Sequence, residues 1–176
     1  MTPEMRGRLL ALLGSMAEEE SWCGETHVQK CAHFLQEGLG VPLGFNFILY
    51  KYGPFSFDLR EALGELWGDY VVEMKTMPGY GPSIGLTESG KTLRDRLREY
   101  ADPYQGEIDF VAQRLSTRGV MELERLATAL LVRGERKATI GDRARRLVEL
   151  KPHVSEADAR RAVEEVEALL AERVRS

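Results

Sequence analysis

The sequence of 176 residues lacks several features that would assign it to a familiar class of protein. It contains only two cysteines, too few for a disulfide framework, and its first segment is amphipathic and does not have the layout of an export signal. These absences predict a reducing, cytoplasmic setting. No apolar run reaches the length of a membrane span, so no membrane contact is expected. The hydrophobic content of 43% is still enough to form a buried core.

Residue sets with catalytic or metal-binding spacing are also missing. The sequence suggests no serine–histidine–carboxylate set, and we predict that the chain is not an enzyme and uses no cofactor or metal. Cys23, His27, Cys31 and His33 form a cluster, but a helix would separate the two cysteines by about 12 Å along its axis. That separation is too long for one zinc ion or for a disulfide. We interpret Cys31 as half-buried and the histidines as surface residues.

Negative charge prevails in the first part of the chain. The formal net charge is −4, and residues 1–102 carry 10 basic and 15 acidic side chains, against 14 and 13 in residues 103–176. Nucleic-acid-binding proteins usually have a basic face, so this distribution counts against DNA binding by the first part. The clearest basic patch, residues 133–146, has six basic and two acidic side chains and a net charge of +4; its basic residues are Arg133, Arg136, Lys137, Arg143, Arg145 and Arg146. It predicts binding to nucleic acid, an acidic partner or a second copy of the chain, with a solvated helix–loop–helix face as the alternative.

Hydrophobic spacing predicts a mainly α-helical chain with a small β-hairpin. Residues 70–75 and 83–87 predict two strands, joined by a turn rich in glycine and proline at residues 76–82. Residues 45–50 fit either a short strand or a helical turn. We predict an N-terminal winged helix-turn-helix domain, residues 1–102, and a C-terminal helical region for packing or dimerisation, residues 103–176. The predicted helices cover residues 3–16, 26–38, 56–67, 88–100, 108–115, 120–132, 140–150 and 155–174, and Ser155 is predicted to cap the last of them.

Residues 45–67 are the stretch around which we organise the remaining elements. An aromatic run ends at Tyr52-Gly53-Pro54, because proline forces the residue before it out of the helical region. Tyr50, Tyr52 and Phe55 are interpreted as packing residues that fix how the next helix leaves this turn. That helix begins at Ser56 and has the position of a recognition helix. Its buried face is predicted to be Leu59, Ala62, Leu63 and Leu66, and its acidic outer face Asp58, Arg60, Glu61 and Glu65.

Two functions remain open for this winged-helix-type regulator. One is transcriptional regulation through duplex DNA, and the other is protein–protein interaction without DNA binding. An acidic helix face repels phosphates, which supply most of the non-specific affinity for DNA. The apolar stripe of the last helix is expected to pack either within the chain or across a homodimer, and the homodimer is preferred. The residues predicted to contact DNA or a partner are Lys51, Tyr52, Ser56, Arg60, Lys75, Tyr80, Lys91 and Arg94.

Residues 85–92 match the phosphate-binding pattern G-x-x-x-x-G-K-[ST]. We interpret the match as a coincidence, because that chemistry needs a buried parallel strand before the loop and a second strand that ends in a carboxylate. The same residues resemble the exit from the wing in MarR-like and PadR-like regulators. This resemblance implies that Leu86 fills the core, Thr87 caps a helix and Gly90 allows close packing.

A broader resemblance covers most of the chain. The pattern Val28-Gln29-Lys30, Phe34-Leu35 and Phe47-x-Leu49-Tyr50-x-Tyr52-Gly53-Pro54-x-Ser56, with the later Leu150-Lys151-Pro152-x-Val154-Ser155, resembles the YwgA-type family of uncharacterised proteins. It implies a winged-helix-like fold with additional helices and no established activity. The Tyr-Gly-Pro segment is also similar to the antitoxin domain called Panacea, which implies a protein that binds and neutralises a partner.

Overall fold

The computed structural model describes residues 1–77, 79–135 and 139–175, and these form a mainly helical structure with two small antiparallel sheets. The helical content agrees with the fold class predicted from the sequence, and each sheet is a two-stranded hairpin, one more than predicted. The α-helices are α1 (Pro3–Glu18), α2 (Glu25–His33), α3 (Phe57–Gly68), α4 (Glu88–Arg96), α5 (Gln105–Leu115), α6 (Val120–Gly134), α7 (Ile140–Leu150) and α8 (Glu156–Arg175). The strands are β1 (Ile48–Tyr50), β2 (Gly53–Phe55), β3 (Val72–Met77) and β4 (Tyr80–Leu86).

Helix α1 lies at the centre of the N-terminal part. Thr2 caps it by accepting a hydrogen bond from the Met5 amide at 3.3 Å, and Pro3 occupies the first turn, where its missing N–H is not needed. The segment from Leu9 to Met16 is buried on nearly all sides. It contacts α2, α4, α5 and β4, so most of the first half of the chain packs around it.

Helix α2 continues without a break into a five-residue π-helix, Phe34–Gly38. The sequence predicted one regular helix over both segments. Two short 3-10 helices, Arg98–Tyr100 and Asp102–Tyr104, likewise replace the end of the helix predicted from residue 88. They connect α4 to α5 across the predicted domain boundary, which itself stays a prediction.

The second hairpin follows α3 and has the predicted place of the wing. Val72 pairs with Leu86 and Met74 with Ile84, and the register shifts between Lys75 and Met77. Thr87 then caps α4, because its Oγ1 accepts a hydrogen bond from the Gly90 amide at 3.0 Å. The role expected for Gly90 is also confirmed, since an added Cβ there would lie 2.0 Å from the Val71 carbonyl oxygen.

Helices α6, α7 and α8 form the C-terminal layer and pack on one another. Ser155 caps α8, with its Oγ 3.1 Å from the Asp158 amide, as the sequence predicted. The apolar stripe of α8 is buried inside the chain, so this surface is not available for the expected homodimer. Helix α6 also contacts α2 and β2, which makes one continuous core across both halves of the chain.

Among the described helices, none combines the length and the apolar character that crossing a membrane would require.

Candidate functional site

The hairpin of β1 and β2 carries a group of exposed aliphatic and aromatic side chains. Ile48 pairs with Phe55 and Tyr50 with Gly53, and every residue of β1 is exposed while every residue of β2 is buried. Gly53 has a φ of +82°, a left-handed conformation that glycine adopts readily. We call residues 48–57 the aromatic hairpin. Its strand β1 is exposed to solvent, and its strand β2 packs against the core.

Two buried lysines hold the backbone of this hairpin from below. Lys30 Nζ donates a hydrogen bond to the Pro54 carbonyl at 2.8 Å, and Lys151 Nζ donates one to the Lys51 carbonyl at 2.8 Å. Lys151 also forms an ion pair of 2.8 Å with Glu124 on α6. We call Lys30, Glu124 and Lys151 the lysine–glutamate cluster. All three residues are at least 94% buried, which is rare for such side chains unless they are paired.

The cluster combines unlike and like charges in a region shielded from water. Burial lowers the pKa of Lys30 to about 8, with the positive charge of Lys151 acting in the same direction and Glu124 opposing it. At neutral pH Lys30 therefore still carries most of its charge. His153 lies at the edge of the cluster, with Nε2 3.8 Å from Glu124 Oε1. The charge on Glu124 thus compensates lysines that are brought together from α2 and from the segment after α7.

A third contact fixes the end of the hairpin. The side-chain amide of Gln29 donates a hydrogen bond to the Ser56 backbone carbonyl and accepts one from the Ser56 backbone N–H, both at 2.8 Å. Ser56 is fully buried, and its Oγ caps α3 by accepting a hydrogen bond from the Leu59 amide at 3.2 Å. Its predicted role as a DNA or partner contact is therefore wrong, because its hydroxyl is used inside the fold.

The outer side of the hairpin is held by aromatic contacts. The rings of Tyr50, Phe55 and Phe57 lie 5.1 to 5.6 Å apart, and Arg60 stacks over Phe55 at 4.7 Å. Phe55 is buried as predicted, whereas Tyr50 and Tyr52 are about half exposed, at 51% and 54%. The interpretation as a packing residue therefore holds in part for Tyr50, whose ring contacts Phe55 and Phe57, and is wrong for Tyr52. The exposed apolar side chains of this surface are Ile48, Leu49, Tyr50, Tyr52 and Phe57.

The structure divides the other predicted contact residues between separate elements. Lys51 and Tyr52 form the turn of the aromatic hairpin, with Lys51 Nζ 5.4 Å from the centre of the Tyr52 ring. Arg60 follows on α3, where it makes an ion pair of 2.7 Å with Glu25.

The remaining predicted contacts lie on the second hairpin and α4. Lys75 pairs with Glu73 at 2.8 Å, Lys91 with Glu88 at 2.7 Å and Arg94 with Asp95 at 3.1 Å. Tyr80 lies on β4. Most of the cations proposed for DNA contact are thus already paired with carboxylates of the chain.

The basic patch is matched by acidic side chains in the same way. Arg133 and Arg143 both contact Glu167 of α8, and Arg145 pairs with Asp142 at 2.6 Å. Arg146 pairs with Glu135 at 2.8 Å and with Glu149 at 3.0 Å. Arg136 and Lys137 lie outside the described residues.

The phosphate-binding pattern at residues 85–92 lies in a context unlike a P-loop. Gly85 belongs to the antiparallel strand β4, and Thr92 Oγ1 donates a hydrogen bond to the Glu88 carbonyl at 3.0 Å. The pattern therefore begins in an antiparallel hairpin strand and ends in helix α4.

The cysteine–histidine cluster is buried, contrary to the interpretation from the sequence. Cys31 and His33 have no exposed surface, and His27 Nε2 donates a hydrogen bond to the Arg118 carbonyl, 3.0 Å away. Burial raises the pKa of Cys23 to about 12 and also raises that of Cys31. Nowhere in residues 1–77, 79–135 and 139–175 do three histidine, cysteine or acidic side chains gather as metal ligands.

Sequence reasoning missed Gln29, Lys30, Glu124 and Lys151 as site residues. One signal was present for Glu124, which shares a helix face with Ala127, at i+3, and Leu131, at i+7, and so places a charge beside an apolar stripe. Gln29, Lys30 and Lys151 belong to the pattern that carries the YwgA-type resemblance, but that pattern gave them no role, because the carbonyl acceptors of the lysines lie far away in the sequence.

Comparison with known proteins gives one partial similarity. No protein-family model matches the chain. A DNA ADP-ribosyl glycohydrolase of Thermus aquaticus (strain ATCC BAA-2747 / Y51MC23) is 32% identical over 88 residues, which are 50% of this chain and 22% of that protein. The chain therefore corresponds to less than a quarter of this relative.

This similarity contradicts the prediction that the chain is not an enzyme, because the relative is named for an enzymatic activity. The prediction was drawn from the lack of a recognisable catalytic motif, and such a lack does not exclude an activity whose residues are dispersed in the sequence.

Proposed function

We propose that this chain is a recognition module, adaptor-like or antitoxin-like, whose aromatic hairpin binds a protein partner in a process that involves a DNA ADP-ribosyl glycohydrolase. The observation that carries the proposal is a hairpin that exposes the apolar strand β1, while two buried lysines hold the backbone of its turn and of strand β2. The relative's name supplies the link to the glycohydrolase.

The side chains of the hairpin suit a protein interface. Aromatic residues and arginine are enriched among the few residues that dominate binding energy, and Tyr50, Tyr52, Phe57 and Arg60 supply both types. A surface that is ordered before binding loses less conformational freedom on association. Lys30, Lys151 and Gln29 provide that order, which supports a binding role for the hairpin.

Charge favours a basic protein partner over duplex DNA. The exposed face of α3, next to the hairpin, carries Asp58, Glu61 and Glu65. These carboxylates repel phosphates but complement lysine and arginine side chains on a protein. We therefore propose a partner with an apolar groove and a basic rim.

A winged-helix arrangement is part of the proposal. The order of α1, α2 and α3 followed by the hairpin of β3 and β4 supports it. In this arrangement α3 has the position of a recognition helix, and the aromatic hairpin precedes it. Duplex-DNA binding, the other function predicted from the sequence, has weaker support, because most of the basic side chains predicted to contact DNA are paired with carboxylates of the chain.

The proposal is tested by measuring binding to the proteins encoded on either side of the gene, each purified and titrated by calorimetry. We expect one of them to bind, and the double variant Ile48→Ala, Tyr52→Ala to weaken that binding about 30-fold or more, as for loss of a hot spot of about 2 kcal/mol. Trp67→Ala, an exposed aromatic residue at the other end of α3, is the matched control. An unchanged dissociation constant in the double variant would contradict the proposal.

The similarity to a glycohydrolase favours a second candidate function, the removal of ADP-ribose from DNA by the chain itself. The test is incubation of the purified chain with an ADP-ribosylated oligonucleotide, with released ADP-ribose followed by mass spectrometry. Release above the buffer control that scales with chain concentration supports this activity, and its absence at a stoichiometric amount of chain excludes it.

A further inference from the structure

A cavity of about 360 Å³ opens beside the π-helix, away from the contacts that hold the aromatic hairpin. Its apolar wall is formed by Phe47, Leu130 and Leu131, and its polar residues include Glu37, Arg133 and Glu135. The wall is thus divided about equally between apolar and polar groups, and the volume lies within the range of about 300–1,000 Å³ that is typical of small-molecule sites.

His33 forms part of the cavity wall and is an unusual residue to find there. It has no exposed surface, and neither Nδ1 nor Nε2 has a hydrogen-bond partner among the residues the structure describes. Its neighbours are rings, with Phe47 at 5.1 Å and Phe34 at 6.5 Å, both in edge-on orientation. A buried polar group without a partner is rare enough to require an explanation, and a ligand is one.

The protonation state of His33 limits what it can recognise. Burial, as the main cause, and the charge of Lys30 lower its pKa to about 3. The imidazole is therefore neutral at physiological pH, with one nitrogen as donor and the other as acceptor.

The backbone beside the cavity is irregular in a way that often accompanies function. The π-helix begins at Phe34, directly after His33, and π-helical turns are frequent at functional sites. Gln36 on this turn holds the Phe45 backbone, accepting from its amide at 2.9 Å and donating to its carbonyl at 2.7 Å. This clamp fixes the segment that carries Phe47 against the π-helix.

Charge around the cavity disfavours an anionic ligand. Arg133 is paired with Glu167 at 3.0 Å and Glu135 with Arg146 at 2.8 Å, so the carboxylate of the exposed Glu37 is the charge that a ligand would meet in this wall. A neutral ligand with a flat apolar ring and an edge of donors and acceptors fits the phenylalanine, the leucines and the histidine together. Nucleobases have this combination, and proteins bind them by stacking on aromatic rings and by hydrogen bonds to their edges.

We propose that this cavity binds a neutral nucleobase, with the ring against Phe47 and Leu130 and the donor–acceptor edge on His33. The site is distinct from the aromatic hairpin, and the inference does not depend on the proposed partner. Phe47 supplies the stacking surface, and His33 selects for a ligand that can both donate and accept.

The test uses the full chain with its histidines labelled with ¹⁵N, titrated separately with adenosine, guanosine, cytidine and thymidine. We expect at least one nucleoside to bind saturably and to shift the His33 ring nitrogens. Binding of the corresponding 5′-monophosphate should be at least 3-fold weaker, because of the acidic rim. If none of the four binds at 5 mM, or if the monophosphate binds more tightly, the proposal is overturned.

Two variants locate the ligand. His33→Phe keeps a ring of similar shape and should weaken the best nucleoside at least 10-fold, whereas His153→Phe, at an exposed histidine outside the cavity, should leave the affinity unchanged. Leu131→Trp, which fills the cavity from its wall, should also abolish binding, and it keeps the test decisive if His33→Phe does not fold. Full affinity in both cavity variants would overturn the proposal.

Discussion

Lys151 binds two partners, the Glu124 carboxylate and the Lys51 carbonyl. Replacing Lys151 with methionine keeps most of the side-chain volume but removes the ammonium group that pairs with the buried Glu124 carboxylate. We expect Lys151→Met to lower the free energy of unfolding by about 3 kcal/mol, as measured by urea denaturation. Lys51→Met, an exposed lysine in the same hairpin, should change it by less than about 0.5 kcal/mol. Similar losses in both variants would contradict a structural role for the cluster.

His33 makes stability depend on pH in a defined direction. The unfolded chain takes up a proton at this residue near pH 6.5, whereas the folded chain does so only near pH 3, so acid favours the unfolded state over this interval. Between pH 7 and pH 5 the loss from His33 should be about 2 kcal/mol. His33→Phe should remove that part of the pH dependence.

The measurement compares urea midpoints of wild type and His33→Phe at both pH values. His27 also has a pKa lowered by burial and adds its own acid sensitivity, so only the difference between the two proteins reports on His33. An identical pH dependence in both would show that the folded state protonates His33 at its ordinary pKa.

Single residues were predictable where their role is local. The caps at Thr87 and Ser155 and the close approach at Gly90 follow from a few neighbouring positions, and the structure confirms them. Lys30 and Glu124 were not predictable, because a buried charge is stable only with partners that the fold supplies from distant segments.

At the scale of elements, the turn of the aromatic hairpin is tightly constrained. Gly53→Ala would place a Cβ 3.1 Å from Thr128 Oγ1 while φ remains at +82°. The cost of the left-handed backbone conformation and the cost of the close contact would therefore both lower stability. We expect it to lower the free energy of unfolding by more than about 2 kcal/mol. Gly40→Ala is the matched control, since Gly40 has a φ of +73° but nothing within 4 Å of an added Cβ, and it should cost about 1 kcal/mol. Equal losses by thermal denaturation would mean that contact with α6 does not constrain the turn.

The long helices were predicted within a few residues because each has its own apolar stripe. The sequence did not decide whether residues 45–50 form a strand or a helical turn, because strands of three residues are too short for their periodicity to distinguish the two. Its conformation depends on Gly53 and on donors from α2 and from Lys151, which lie outside the window that a pattern covers. The π-helix was missed for a similar reason, because its residues also fit a regular helix.

At the scale of the whole molecule, most basic side chains of residues 1–77, 79–135 and 139–175 are paired with carboxylates. Such pairing leaves few cations to release counterions from DNA, and each phosphate neutralised contributes about −0.9 to the slope of log affinity against log salt. We expect binding to a mixed-sequence duplex to be micromolar or weaker at low salt, with a slope shallower than about −2 in fluorescence anisotropy. A steep slope with nanomolar affinity would instead favour DNA as the partner.

The charge triplet Arg143, Arg145 and Arg146 provides a control for that experiment. These arginines are paired with Glu167, Asp142, Glu135 and Glu149, so replacing all three with glutamine should alter duplex binding little. A large loss would show that DNA displaces the internal partners.

Lys51 and Lys151 are 100 residues apart, and this spacing has a consequence for the newly synthesised protein. At ordinary rates of translation, the turn of the hairpin leaves the ribosome roughly 5–20 s before the lysine that binds it. During that interval only Lys30 and Gln29, on the preceding helix, are available to hold the hairpin. Until Lys151 has emerged, the hairpin of a nascent chain therefore lacks one of its backbone contacts and is held less tightly than in the folded protein.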